Sequence, residues 1–289
     1  MELLSTNGLI AAEDVYYLTA NHNNIKILDA TYSIPGANLT PFQAFLTRRI
    51  QGAQFFDIDV VANIDAPLAH TVPSPEYFSA CASALGISND DHVVIYDQSG
   101  GYMASSRAWW MFRLFGHQKV YVIEGGIAGW MSRGFPVTQG DVETPAVGAF
   151  KASTRRSLLA DRNDLMENLE TKSMRVIDAR PTIRFNGDGP EPRIGMRCGH
   201  IPHSHNLPFS NVLDGGAGWF KNDIELEDIL SSLDLSQDDK VVATCGSGVT
   251  ACTLALALFK ARGQECAVYD GSWAEWGDER SGTPVEISA

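Results

Sequence analysis

Short runs of β-branched residues alternate along the chain with segments whose apolar positions recur at helical spacing. In the second half, Arg175-Val176-Ile177-Asp178 and Lys240-Val241-Val242-Ala243-Thr244 are apolar runs of strand length, and Ala267-Val268-Tyr269 is a third. Between the last two, Thr250 to Arg262 carries helical periodicity and stops at Gly263, which predicts a helix closed by a C-terminal glycine. Strand and helix joined by such short connections imply parallel pairing, with helices on both faces of each sheet.

The pattern is written twice. Ile27-Leu28-Asp29-Ala30 recurs as Val176-Ile177-Asp178-Ala179, and Arg49-Ile50-Gln51-Gly52-Ala53 is echoed by His200-Ile201-Pro202-His203-Ser204. Val93-Val94-Ile95-Tyr96-Asp97 is matched by Val241-Val242-Ala243-Thr244-Cys245, and Gly125-Gly126-Ile127-Ala128-Gly129-Trp130 by Gly271-Ser272-Trp273-Ala274-Glu275-Trp276. The order is kept, and the offset stays at roughly 150 residues, the size of one domain. Thr138 to Ser153 is rich in Gly, Pro and Thr, has no apolar period, and reads as the connection. The expected fold is α/β: two tandem domains related by duplication, at 1–140 and 158–289, with a linker at 141–157.

Composition narrows the class. A hydrophobic share of 44% and a charged share of 20% fit a globular chain. A formal charge of −13 argues against a nucleic-acid partner, which needs a basic face. No apolar run is long enough to cross a membrane, and MELLSTNGLIAAEDVYYL has no basic stretch ahead of an apolar block, so a cytoplasmic protein is expected. The five cysteines, Cys81, Cys198, Cys245, Cys252 and Cys266, are scattered and form no CxxC pair, as in a reducing compartment. Buried packing is the ordinary role for most of them, and Cys198 beside Arg197 is a candidate redox-sensitive thiol. Trp109-Trp110-Met111-Phe112 is expected in a helix core, and Trp273 and Trp276 as packing under the loop described next.

Cys245-Gly246-Ser247-Gly248-Val249-Thr250 sits between a predicted buried strand and a predicted helix. A loop ending at a helix N-terminus aims backbone N–H groups and the positive end of the helix dipole at its centre, and the two glycines let the backbone curl. A thiolate at Cys245 is stabilised there as the anion, and so is a persulfide. The first half has Asp97-Gln98-Ser99-Gly100-Gly101 at the equivalent place, so only one copy keeps a nucleophile.

These six residues resemble the active-site loop of two-domain rhodanese-like sulfurtransferases, in particular the 3-mercaptopyruvate branch. The resemblance extends over Gly52 to Asp59, Trp109 to Arg113, Gly199-His200-Ile201-Pro202 and Tyr269 to Trp273. His203-Ser204 replaces the usual Gly-Ala after Ile-Pro, and Gln51 replaces a common Pro; both departures fall on structural turns. The resemblance implies a sulfurtransferase that moves sulfane sulfur from 3-mercaptopyruvate, through a Cys245 persulfide, to cyanide, a small thiol or thioredoxin. No metal or organic cofactor and no membrane partner is implied.

Thiosulfate-using relatives carry basic residues after the nucleophile. Here Gly246, Ser247, Gly248, Val249 and Thr250 are neutral, which favours a singly charged keto acid over a compact dianion. Arg184 and Arg193 stand at the family's substrate positions and flank a Gly- and Pro-rich loop from Asn186 to Pro192. A guanidinium matches a carboxylate in planar geometry. The family also implies a relay of Ser247, His70 and Asp59 for the proton that must move when pyruvate leaves. The alternatives are a thiosulfate-using sulfurtransferase and a catalytically silent binding module. A cysteine-dependent phosphatase fits poorly, because its loop is one residue longer and closes with an Arg, where this chain has Ala251.

Overall fold

A computed structural model describes residues 7–32, 38–100, 102–215 and 219–288. The chain divides into two compact units. The first takes in the chain to Ile64, Val72–Arg155 and a short segment ending at Trp219; the second takes in Asp65–Thr71, Arg156–Gly215 and the chain from Phe220 onward.

The strands of the first unit are β1 (Leu9–Ile10), β2 (Ile25–Asp29), β3 (Arg49–Ile50), β4 (Gln54–Phe55), β5 (His92–Tyr96), β6 (Val120–Ile123) and β7 (Val137–Thr138). Five of them form a parallel sheet in the order β1-β6-β5-β2-β4, while β3 and β7 pair antiparallel beside it. The second unit has β8 (Leu159–Ala160), β9 (Arg175–Asp178), β10 (His205–Asn206), β11 (Val241–Thr244) and β12 (Cys266–Tyr269), all parallel. Read from β8, its order is β8-β12-β11-β9-β10, the first sheet's order repeated strand for strand. The duplication legible in the sequence is a duplication of topology.

Among the described residues, five α-helices fall in each unit: α1 (Ala12–Asn21), α2 (Pro41–Thr47), α3 (Pro75–Ala84), α4 (Met103–Leu114) and α5 (Gly126–Ser132), then α6 (Arg162–Thr171), α7 (Thr182–Phe185), α8 (Asp223–Ser232), α9 (Ala251–Arg262) and α10 (Ser272–Trp276). Local chemistry sets several of their starts. Thr40, Asp161 and Asn222 close capping boxes with Gln43, Asp164 and Glu225, each box contributing about 1 kcal/mol. α9 ends where Gly263 turns left-handed at φ +64°, as its glycine predicts.

The central strands β5 and β11 are buried over their apolar runs, because parallel sheets are covered on both faces. The first core gathers Ile27, Val94, Tyr96, Ile123 and Trp130, and the second Val176, Val242, Tyr269, Trp273 and Trp276. Trp109 to Phe112 are buried in α4, as expected of a helix core. Residues 139–155 form no helix or strand and lie along the first unit. Gly148 donates to the Ser83 carbonyl, Ser153 to Phe115 and Arg155 to Leu114, and the ring of Phe150 packs on Phe78 and Phe112. A Cβ on Gly148 would sit 2.1 Å from the Ile87 carbonyl oxygen, so only glycine fits.

The two copies repeat even their turns. Gly52 takes φ +80°, and His203, at the matching place, takes φ +65°. The histidine that departs from the family pattern therefore carries a backbone conformation that favours glycine.

Candidate active site

Cys245 follows the last residue of β11 and is buried, with 2% of its surface exposed. Its backbone is fixed from α10: the Cys245 N–H donates to Ser272 Oγ at 3.2 Å, and the N–H groups of Trp273 and Ala274 donate to the carbonyls of Cys245 and Gly246. Ser272 is itself anchored, donating to the Tyr269 carbonyl at 2.7 Å. Trp273 and Trp276 are buried in the core of the second unit.

From Cys245 the chain turns through Gly246, Ser247, Gly248, Val249 and Thr250 into α9. Of the two loop glycines, Gly248 uses the left-handed region, at φ +76°. Gly246 serves by smallness instead: a Cβ there would lie 3.5 Å from Arg184 Nη2 and 3.6 Å from Arg193 Nη1. Among the described residues, no acceptor meets the N–H groups of Gly246, Ser247, Val249 or Thr250. A loop with unpaired donors at a helix N-terminus is an anion site by construction.

The first unit shows the same loop already filled. Asp97 follows β5 as Cys245 follows β11. One oxygen of its buried carboxylate accepts from the Ser99 N–H and hydroxyl, at 3.1 and 2.8 Å. The other accepts from the N–H and hydroxyl of Ser105 in α4, at 3.2 and 2.7 Å.

Arg184 lies on the single turn of α7, and Arg193 on the irregular chain beyond it. The structure brings both guanidinium groups to Gly246: Arg193 Nη1 donates to its carbonyl at 3.2 Å, and Arg184 Nη2 faces the same residue. Sequence reasoning missed what holds Arg184. Glu191, whose side chain is 3% exposed, bonds both Arg184 and Arg180, and Arg180 in turn chelates Asp178 at the end of β9. The Arg180 guanidinium also donates to the Gly199 carbonyl and lies 4.1 Å above the Trp273 ring. Glu191 lies between Pro190 and Pro192 in the loop that the two arginines flank, a setting with no periodicity to mark it as buried.

His70 sits in the segment 65–71 that groups with the second unit, buried and at φ +63°. A non-glycine residue there is uncommon and recurs at functional sites. Ser247 is half-buried on the loop. Asp59 lies in the first unit, is exposed, and donates its N–H to the Asp57 carboxylate.

Cys252 and Cys266 are buried, and burial pushes the Cys266 thiol well above its ordinary range. Cys198 is half-buried with its thiol 3.7 Å from the Gly189 carbonyl, while the Arg197 guanidinium is taken up by Trp276, Ser281 and Thr283. None of the five forms a disulfide. No group of His, Cys, Asp or Glu that could hold a metal ion occurs among the described residues.

Fold and site together define a duplicated α/β protein in which one copy bears a thiol in an anion-binding loop and the other a carboxylate. The model of the rhodanese-like domain matches residues 12–133 and again 161–279, and the chain belongs to that family. It is 40% identical over 254 residues to the 3-mercaptopyruvate sulfurtransferase of Rattus norvegicus, covering 87% of this chain and 84% of that one. It is also 40% identical over 254 residues to the thiosulfate sulfurtransferase of Cricetulus griseus, with the same coverage of each chain. Among solved structures, SseA from Escherichia coli, described as a 3-mercaptopyruvate sulfotransferase, superposes with a TM-score of 0.81 at 33% identity, covering 93% of this chain and 99% of that one. Relatives of both names match to the same degree, so the donor must be argued from the site.

Proposed function

We propose that the protein is a 3-mercaptopyruvate sulfurtransferase working through a persulfide on Cys245. The observation that carries this reading is the meeting of Arg184 and Arg193 at Gly246, one residue from the thiol, over a loop with no basic side chain. Two guanidinium groups suit the carboxylate and keto oxygen of an α-keto acid. The Cys245 thiolate attacks the donor sulfur, and the carbon–sulfur bond breaks with its electron pair passing to the pyruvate enolate. The proton from the donor thiol ends on the enolate carbon. The products are pyruvate and a Cys245 persulfide anion, held by the unpaired loop amides. Cyanide, a small thiol or thioredoxin then takes the outer sulfur and frees the thiolate in a ping-pong cycle.

Ser247 and His70 are the proposed proton handlers, with Asp59 as the orienting carboxylate. Burial of His70 at a strained backbone position supports its part in the relay. The proposed division of the chain is a non-catalytic domain at 1–140, a linker at 141–157 and a catalytic domain at 158–289. No helix among the described residues is long and apolar enough to cross a membrane. The cysteines, none in a disulfide, support a reducing compartment such as the cytoplasm.

The test is steady-state sulfur transfer to cyanide from 3-mercaptopyruvate and from thiosulfate, with wild type and Cys245→Ser, alongside the mass of the donor-treated protein. A preference for mercaptopyruvate and one added sulfur, both lost in Cys245→Ser, is the expected result. A preference for thiosulfate, favoured by the likeness to the Cricetulus griseus enzyme, would overturn the donor assignment while leaving the persulfide. No turnover and no added sulfur would make the chain a silent member of its family.

A further inference from the structure

The buried carboxylate of Glu191 serves neither as nucleophile nor in the proton relay, yet it touches the donor cradle directly. Its Oε1 accepts from Arg180 Nη1 at 3.0 Å and from Arg184 Nε at 3.2 Å. Its Oε2 accepts from Arg184 Nε at 3.2 Å and from Nη2, the same nitrogen that faces Gly246. Arg180 is bound in turn to Asp178, with Nε and Nη2 3.0 and 2.7 Å from Oδ2. Asp178, Arg180, Glu191 and Arg184 thus form a chain of alternating charge, with its first three side chains almost fully buried and Arg184 20% exposed at its open end. The four charges cancel. Arg193 bonds the Gly246 carbonyl and, among the described residues, has no carboxylate partner. Of the two guanidinium groups facing Gly246, one is therefore already neutralised, and the pair presents a single positive charge.

We infer that Glu191 is a specificity-determining residue, whose carboxylate sets the charge of the donor cradle to one and so selects a singly charged keto acid over the thiosulfate dianion. This rests on reading Arg184 and Arg193 as the cradle. The physical basis is direct. A dianion gains more than a monoanion from each uncompensated positive charge, and the gain is large in a partly desolvated site. Glu191 also fixes where Arg184 stands, through two parallel bonds, Nε to Oε1 and Nη2 to Oε2, of the kind that lock a guanidinium in plane. Positioning alone would affect both donors alike. Charge setting changes their ratio.

The experiment measures kcat/KM for 3-mercaptopyruvate and for thiosulfate in wild type, Glu191→Gln, Glu191→Asp, Arg184→Gln and the double variant Glu191→Gln with Arg184→Gln. Glu191→Gln adds one net positive charge and is expected to move the donor ratio toward thiosulfate by about tenfold or more, an effect that shrinks as salt is added. Glu191→Asp keeps the charge, so its rate falls while the ratio stays near that of wild type. The double variant removes a positive and a negative charge together, and its ratio returns toward wild type at lower overall activity. If Glu191→Gln lowers both donors by the same factor at every salt concentration, the residue only positions Arg184 and the inference is overturned. If Glu191→Gln does not fold, the double variant is compared with Arg184→Gln alone, from which it differs by the one carboxylate charge: a ratio moved toward thiosulfate in the double variant upholds the inference, and the same ratio in both refutes it. Wild-type turnover reports separately on the proposed function. An enzyme that prefers thiosulfate sinks the donor assignment, yet the shift on Glu191→Gln still reads the charge.

Discussion

Arg184 Nη2 bonds the carboxylate of Glu191 and stands 3.5 Å from the point where a side chain on Gly246 would begin. The guanidinium is thus fixed from behind by a buried acid and faces Gly246, the neighbour of Cys245.

Gly246→Ala should therefore separate binding from folding. The new methyl meets both guanidinium groups at ordinary contact distance, so unfolding by denaturant should differ from wild type by less than about 0.5 kcal/mol. On the proposed donor site the same methyl takes space that the donor carboxylate would fill, and KM for 3-mercaptopyruvate should rise about tenfold. An unchanged KM would move donor binding elsewhere.

Gly248→Ala should act the opposite way round. At φ +76° an added Cβ costs about 1 kcal/mol, which lowers the melting temperature by a few degrees. Because this residue shapes the anion loop, kcat should fall as well. Calorimetry and steady-state rates on one preparation check both effects.

Asp97→Ala leaves four donors around a buried space without their acceptor. A loss of about 3 kcal/mol in stability is expected, with activity per folded molecule unchanged. Urea unfolding, followed by assay well below the transition, tests both halves. A large fall in specific activity would give the first unit a part in the chemistry.

His117 gives the first unit an acid sensitivity. Burial between the rings of Phe112 and Phe150 lowers its pKa to about 4. In the unfolded chain the same imidazole takes its proton near pH 6.5. Above that pH both states are neutral and stability does not change. As pH falls from about 6.5 to 4 the unfolded state binds the proton first, and stability drops by up to about 3 kcal/mol. His117→Phe should flatten this part of the stability–pH curve while leaving other carboxylate-driven losses in place.

Most of the fold was legible because the duplication makes each half a check on the other. The strand runs at Val94 and Val242 keep the same place in their sheets, and the linkage of β11 to α9 follows from an apolar run, a glycine loop and Gly263. The meeting of Arg184 with Arg193 at Gly246 was foreshadowed by their positions around the 186–192 loop. Three-dimensional convergence is invisible in sequence, however, and so was the chain from Asp178 to Glu191. A buried acid between two prolines has no periodicity to betray it, and its partner Arg180 is 11 residues away along the chain. Likewise Ser272, which fixes the Cys245 backbone from 27 residues downstream, looks in sequence like an ordinary start of a short helix.

The unpaired amides of Gly246, Ser247, Val249 and Thr250 have a consequence for the order of events in time. In the first unit the corresponding loop is finished at synthesis, because its anion is part of the polypeptide at Asp97. In the second no carboxylate is built in, and under the proposed mechanism the outer sulfur of the Cys245 persulfide anion completes the loop. The sulfur-free enzyme is then expected to be the looser of the two species in the proposed cycle, and the sulfur-loaded form the better ordered. Loading is then expected to tighten the loop and delivery to relax it, and amide hydrogen exchange there would report how much of the protein is carrying sulfur.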